Sequence, residues 1–134
     1  VTDDNPFQIH PEARRITVGS GLAVSDHALR VEQPPVMPAW YLPAGEVDGR
    51  FLIATNHCSY IQWVGETCWF DLVDGTSNAA WLHPDPSPLL AALGDRIAFD
   101  PHRVTIYLDG EPALASTRFM SPASRGIGPI PAPR

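Results

Sequence analysis

A chain of 134 residues with 44% hydrophobic and 18% charged side chains suits one globular domain and is too apolar to be disordered. Its formal net charge of −6 disfavours nucleic acid and membrane surfaces as partners. All nine basic side chains are arginine, which excludes a lysine Schiff base and a phosphate-binding lysine whatever the genomic cause of the bias.

Residues 1–13 are polar and proline-containing and read as an irregular arm. A single β domain is expected over 14–116. Arg15–Val18 alternates, Gly19–Gly21 turns, and Leu22–Val24 returns, which is a strand, a glycine turn and a strand. Ala28–Val31 suits a further strand, and Gln33–Pro38 reads as a connector because proline cannot donate to a ladder. Trp40–Leu42 is a compact aromatic strand, and Phe51–Thr55 reads as a buried one. From Thr67 to Val73, Cys68, Phe70 and Leu72 share one face while Trp69 and Asp71 share the other. Asp74-Gly75 is a hairpin signal, and Ala79–Leu82 is the returning strand. Ser87, Pro88 and Gly94 punctuate a short helix near 88–93. Ile97–Phe99 and Arg103–Leu108 are strands, Asp109-Gly110 turns, and Pro112–Ser116 returns. Residues 117–134 are rich in proline and glycine and read as an extended tail lying on a cleft or a neighbouring subunit. The expected fold is mainly β, with curved antiparallel sheets built from hairpins as a sandwich or half-open barrel.

Several stretches together carry a resemblance. They are Arg15-Ile-Thr-Val with Ala23-Val-Ser25 and Ala28-Leu-Arg30; Pro38-Ala-Trp-Tyr41-Leu-Pro43 with Glu46-Val47; Ser59-Tyr60-Ile-Gln-Trp63-Val-Gly65 with Trp69; and Ala80-Trp81, Pro84-Asp-Pro86, Ile97-Ala-Phe99, Arg103-Val-Thr-Ile and Leu108-Asp-Gly-Glu111. In this order they resemble the bacterial domain of unknown function family 427 over roughly residues 14–112. The resemblance implies a mainly-β fold and no particular substrate. Where the family's third stretch carries Cys-Pro-x-Lys-Gly, this chain has Ile61 at the cysteine position and Val64 at the lysine position, with Gly65 kept. Any activity that relies on that cysteine or lysine is lost or changed here. The family also bears a nucleotidyltransferase-like label. No glycine-rich phosphate loop, magnesium-spaced aspartate pair or lysine supports it in this sequence.

No run of about 18 apolar residues is present. Val1–Pro6 has neither the basic nor the apolar region of a signal peptide, so a cytoplasmic setting is expected. Cys58 and Cys68 are then expected as free thiols. Their spacing is not that of a zinc site, and the five histidines are scattered, so neither metal nor another cofactor is expected.

The densest chemistry lies in Asn56-His57-Cys58-Ser59-Tyr60. His57 has the side chain for acid–base work near neutrality, and Cys58 for a thiolate nucleophile, although the two point apart unless the chain turns between them. Tyr41 and Tyr60 are candidate proton carriers or orienting groups. Asp71, mid-strand beside a tryptophan, has either a raised pKa or a solvated strand face. Trp40, Trp63, Trp69 and Trp81 suit either a core or the wall of a ligand cleft, since aromatic residues occur on both strand faces. Glu46 and Arg30 are candidate ligand contacts, Arg30 equally suited to an acidic neighbour. These residues suit a cofactor-free enzyme acting by acid–base chemistry on a hydrophobic or aromatic small molecule, of the isomerase, cyclase or lyase kind. The alternative is a non-catalytic module binding a small molecule or a protein. A homodimer is left open.

Overall fold

The computed structural model describes residues 7–33, 36–62 and 64–114, so Trp63 and the expected tail lie outside the described residues. Its strands are β1 (Gln8–Pro11), β2 (Ile16–Val18), β3 (Ala23–Ser25), β4 (Leu29–Gln33), β5 (Val36–Pro43), β6 (Leu52–Ile61), β7 (Gly65–Leu72), β8 (Ala80–Leu82), β9 (Arg96–Phe99), β10 (Ile106–Leu108) and β11 (Glu111–Pro112). Among the described residues they make two antiparallel sheets and no closed barrel. The larger runs β1-β4-β5-β9-β8-β7-β6, and the smaller runs β11-β10-β2-β3.

Period-two alternation puts each sheet's apolar residues on defined faces. The faces between the sheets enclose an aliphatic and aromatic core. Ile16, Val18 and Ile106 of the smaller sheet meet Trp40, Leu42, Leu72, Ile97 and Phe99 of the larger one. The opposite face of the larger sheet is also buried. There Tyr41, Trp69, Trp81 and Ala98 are covered by Leu90 and Leu93, with Val31 and Val64 beside them. Trp40 and Tyr41 therefore belong to two different cores, as strand alternation requires.

The turns follow their sequence signals. Gly75 has φ of 100°, and Asp109 and Gly110 have φ of 50° and 88°. Two successive left-handed residues at Asp109-Gly110 match the twist of the hairpin they join.

Several expectations are corrected. β1 lies in the stretch read as an irregular arm, where it pairs with β4 through Ile9↔Val31. β5 starts at Val36, inside the expected connector; Pro38 sits within it near the β4–β5 register shift. Register shifts free backbone positions that a proline tolerates. β6 is not a short buried strand but a ten-residue edge strand, with Ile53 and Tyr60 exposed. The expected strand Arg103–Leu108 begins only at Ile106, because the Arg103 and Val104 amides both bond back to Asp100 O in a turn. The helix at Pro88–Leu93 is of the 3-10 type and kinked at Leu90, consistent with its barely two turns.

Candidate functional site

Strands β5, β7 and β8 carry one polar chain into the dry side of the larger sheet. Trp81 Nε1 donates to Tyr41 Oη at 3.0 Å, and Tyr41 Oη lies 2.8 Å from His83 Nε2. His83 Nδ1 lies 3.0 Å from Thr67 Oγ1, which reaches Gly65 O at 3.5 Å. Donor counting selects one arrangement. If Thr67 donates to Gly65 O, it accepts from His83 Nδ1–H. His83 Nε2 then accepts from Tyr41 O–H, and Tyr41 Oη accepts from Trp81. Each donor has an acceptor in that tautomer.

All four side chains are at most 1% exposed. Burial drives the His83 pKa down to about 4, against a backbone hydrogen bond at Glu66, so its ring is neutral near pH 7. Burial likewise raises Tyr41 far above the ordinary phenol, despite the hydrogen bond from Trp81. Tyr41, Trp69 and Trp81 thus come together as packed core, one of the two roles that the sequence leaves open for the tryptophans. His83 was missed as a partner because a histidine before a proline reads as a turn residue.

His57 approaches this cluster from the edge. Between the register pairs Ala54↔Phe70 and Cys58↔Cys68, residues Thr55, Asn56 and His57 stand opposite Trp69 alone. Thr55 Oγ1 holds the bulge, donating to Trp69 O at 2.8 Å and accepting from His57 N at 3.0 Å. The His57 ring stacks on Trp69 with centroids 4.5 Å apart. Its side chain is half-buried.

Beyond the bulge, Cys58 faces Cys68 across the ladder at a Cα separation of 4.1 Å, and the two form a disulfide. Neither described cysteine is free. This corrects both the free-thiol expectation and the reading of Cys58 as a nucleophile, because a sulfur tied in a disulfide is no thiolate. It also removes the Cys58–His57 dyad: the strand continues past the bulge, and no turn brings the two side chains together.

The other expected site residues are dispersed. Tyr60 is 77% exposed. Asp71 accepts from Asn78 N at 2.9 Å and anchors the β7–β8 connection. Arg30 takes the acidic neighbour, bonding Glu32 at 2.8 Å and Glu12 at 3.0 Å. Glu12 also accepts from Trp40 Nε1 at 2.9 Å, so Trp40 is core with a satisfied polar edge. Burial alone would raise the Glu12 pKa, but the hydrogen bonds from Arg14, Trp40 and Arg30 prevail and hold it well below the carboxylate range. Glu46 meets His27 Nδ1 at 3.1 Å, away from the aromatic cluster.

Ile61 and Val64, where the resemblance sets a cysteine and a lysine, are packing positions here. Val64 is buried and Ile61 partly buried against the aromatic core. Gly65 has φ of +103°, and a Cβ there would meet Asp85 O at 2.6 Å and Ser87 N at 2.7 Å. Only glycine lets the backbone of residues 85–87 approach so closely.

Open space lies elsewhere. A groove of about 470 Å3 runs between the Gly19–Leu22 turn, Phe51, the Leu72–Thr76 turn and the Arg103–Thr105 segment. Leu22, Leu72 and Val104 contribute apolar surface, while Ser20, Asp74, Thr76 and Arg103 are polar lining residues. Phe51 and Val73 are 40% and 55% exposed. Arg103 is half-exposed, and its ion pair with Asp100 is 3.7 Å long. Asp74 is occupied within its own turn, accepting from Thr76 N and Oγ1. Among the described residues, no candidate from the sequence lines this groove.

No helix among the described residues is long and apolar enough to cross a membrane. No curated protein matches the chain. A sequence profile for a domain of unknown function (DUF427) matches residues 8–110, in keeping with the resemblance carried by the motifs, and the chain belongs to that family.

Proposed function

We propose that the protein is a non-catalytic binding module for a hydrophobic or aromatic small molecule, held in the groove between the Gly19–Leu22 and Leu72–Thr76 turns. One observation carries the reading: this groove pairs apolar surface with polar lining side chains, Arg103 among them, at a volume suited to a small ligand, about 470 Å3. Phe51 and Val73 offer the apolar contact. Arg103 suits an acidic substituent on the ligand, because its existing ion pair is long and solvated. Trp69 and Trp81 lie on the opposite face of the larger sheet, a layer away from the core that Leu22, Leu72 and Val104 share.

The test is a panel of aromatic and polyketide-like acids followed by ligand-observed NMR. A hit should bind saturably, lose at least about tenfold in affinity with Arg103→Ala, and fail to bind when Thr105→Trp fills the groove. Undiminished binding in both variants would sink the proposal.

A second reading, a cofactor-free acid–base enzyme, draws support from His57, half-buried and stacked on Trp69. It differs in one result: His57→Ala would then leave binding intact and abolish turnover of the hit.

A further inference from the structure

Register, not sequence spacing, assembles a second cluster at the outer end of the larger sheet. Cys58 and Cys68 are direct cross-strand partners, and Tyr60 pairs with Glu66 two rungs on. Alternation puts Glu66 and Cys68 on the same face of β7. The two sulfurs and a Glu66 carboxylate oxygen all lie within 4.8 Å of one another. Cys58 and Glu66 are exposed and Cys68 is partly so, which leaves an approach from solvent. None of these groups takes part in the aromatic network or lines the groove.

We propose that Cys58, Cys68 and Glu66 form a redox-gated site for a thiophilic divalent ion of the zinc class. In the disulfide state the sulfurs are spent on each other and offer no thiolate. A dithiol reductant gives up two electrons and two protons, becoming a disulfide, and converts the protein's S–S bond into two thiols. The ion then displaces the two thiol protons and binds two thiolates and one carboxylate, with water completing a tetrahedron.

The geometry needs little movement. Tetrahedral zinc–sulfur bonds of about 2.3 Å place two sulfurs roughly 3.8 Å apart. The strands already hold the two α-carbons 4.1 Å apart, so side-chain rotation is enough. The ladder from Ser59↔Thr67 to Ile61↔Gly65 on one side, and the bulge held by Thr55 on the other, keep both cysteines and Glu66 in place when the bond opens. Dithiol reductants in the surroundings open the bond and free both thiols. The chain would then report the redox state of its surroundings as metal occupancy.

The experiment is a cadmium titration of the whole chain, once as isolated in air and once after reduction and removal of the reductant under nitrogen. Thiolate-to-metal charge-transfer absorption gives the readout. The oxidised protein should show no such band, and the reduced protein should saturate at one Cd2+ per chain. Glu66→Gln should keep the band and weaken binding by at least about tenfold, as loss of a ligand would. Circular dichroism of the reduced, metal-free protein checks that the sheet persists without the bond. Reduced wild type that binds no more Cd2+ than the Cys58→Ser/Cys68→Ser variant would overturn the site. Unchanged affinity in Glu66→Gln would overturn the carboxylate's part. Two titratable thiols in the air-isolated protein would overturn the gate.

Discussion

The aromatic side of the larger sheet is built from conspicuous residues and is full, whereas the groove beside the smaller sheet is built from turns and ordinary side chains and, among the described residues, is open. On the aromatic side, Tyr41, Trp69 and Trp81 are at most 2% exposed and Leu90 and Leu93 close over them. In the groove, Phe51 and Val73 stand exposed around space that no side chain of the described residues fills. Large aromatic residues bury so much area that the fold consumes them unless something keeps them apart. The backbone turns around the groove carry small side chains, and those leave room for a ligand.

Truncation should separate the two regions most sharply. Trp69→Ala removes a buried indole that stacks on His57, and should cost about 3–5 kcal/mol in denaturant unfolding. Val73→Ala in the groove should stay within about 0.5 kcal/mol. Similar losses at both positions would erase the distinction between packed and open.

The polar chain gives a pH signature on the packed side only. The His83 pKa is about 4 in the folded protein, against an ordinary value of 6.5 in the unfolded chain. Between these values the unfolded state holds more protons, so its burial as a neutral ring favours folding above pH 6.5. That contribution, about 3 kcal/mol, is lost as pH falls toward 4. Stability measured from pH 7 to pH 4 should decline accordingly, and His83→Gln should be less stable at pH 7 but show a flatter decline. An unchanged slope in that variant would place the titration elsewhere.

Breaking the disulfide should have a smaller effect. The linked residues are ten apart in sequence, and constraint of so short a loop contributes about 2–3 kcal/mol. Reduction should therefore lower the unfolding midpoint without disturbing the groove signals, since Cys68 stands four residues along β7 from Leu72, at the groove.

Much of the fold was legible in the residues. The alternation through Cys68–Leu72 and the opposed faces of Trp40 and Tyr41 follow directly from strand periodicity, and Asp74-Gly75 and Asp109-Gly110 mark their turns. The aromatic cluster was legible as a set, but its closure was not, because Leu90 and Leu93 arrive from a distant 3-10 segment. The cysteine pairing was hidden by the bulge. An uninterrupted β6–β7 register from Ala54↔Phe70 would not place Cys58 opposite Cys68; three residues opposite Trp69 do. β1 and the start of β5 were lost to local proline content, which pairing with β4 overrides. The groove escaped notice for a different reason. It is made of backbone turns and ordinary side chains from four separated segments, and no motif announces it.

The central claim is that ligand enters the groove and not the aromatic side, and amide chemical-shift mapping with an acidic aromatic hit tests it most directly. Shifts concentrated at Gly19–Leu22, Leu72–Thr76 and Arg103–Thr105, with the Trp69 and Trp81 indole signals unmoved, are the predicted result. Shifts centred on His57 and the Trp69 and Trp81 indoles, with the groove amides silent, would contradict the account.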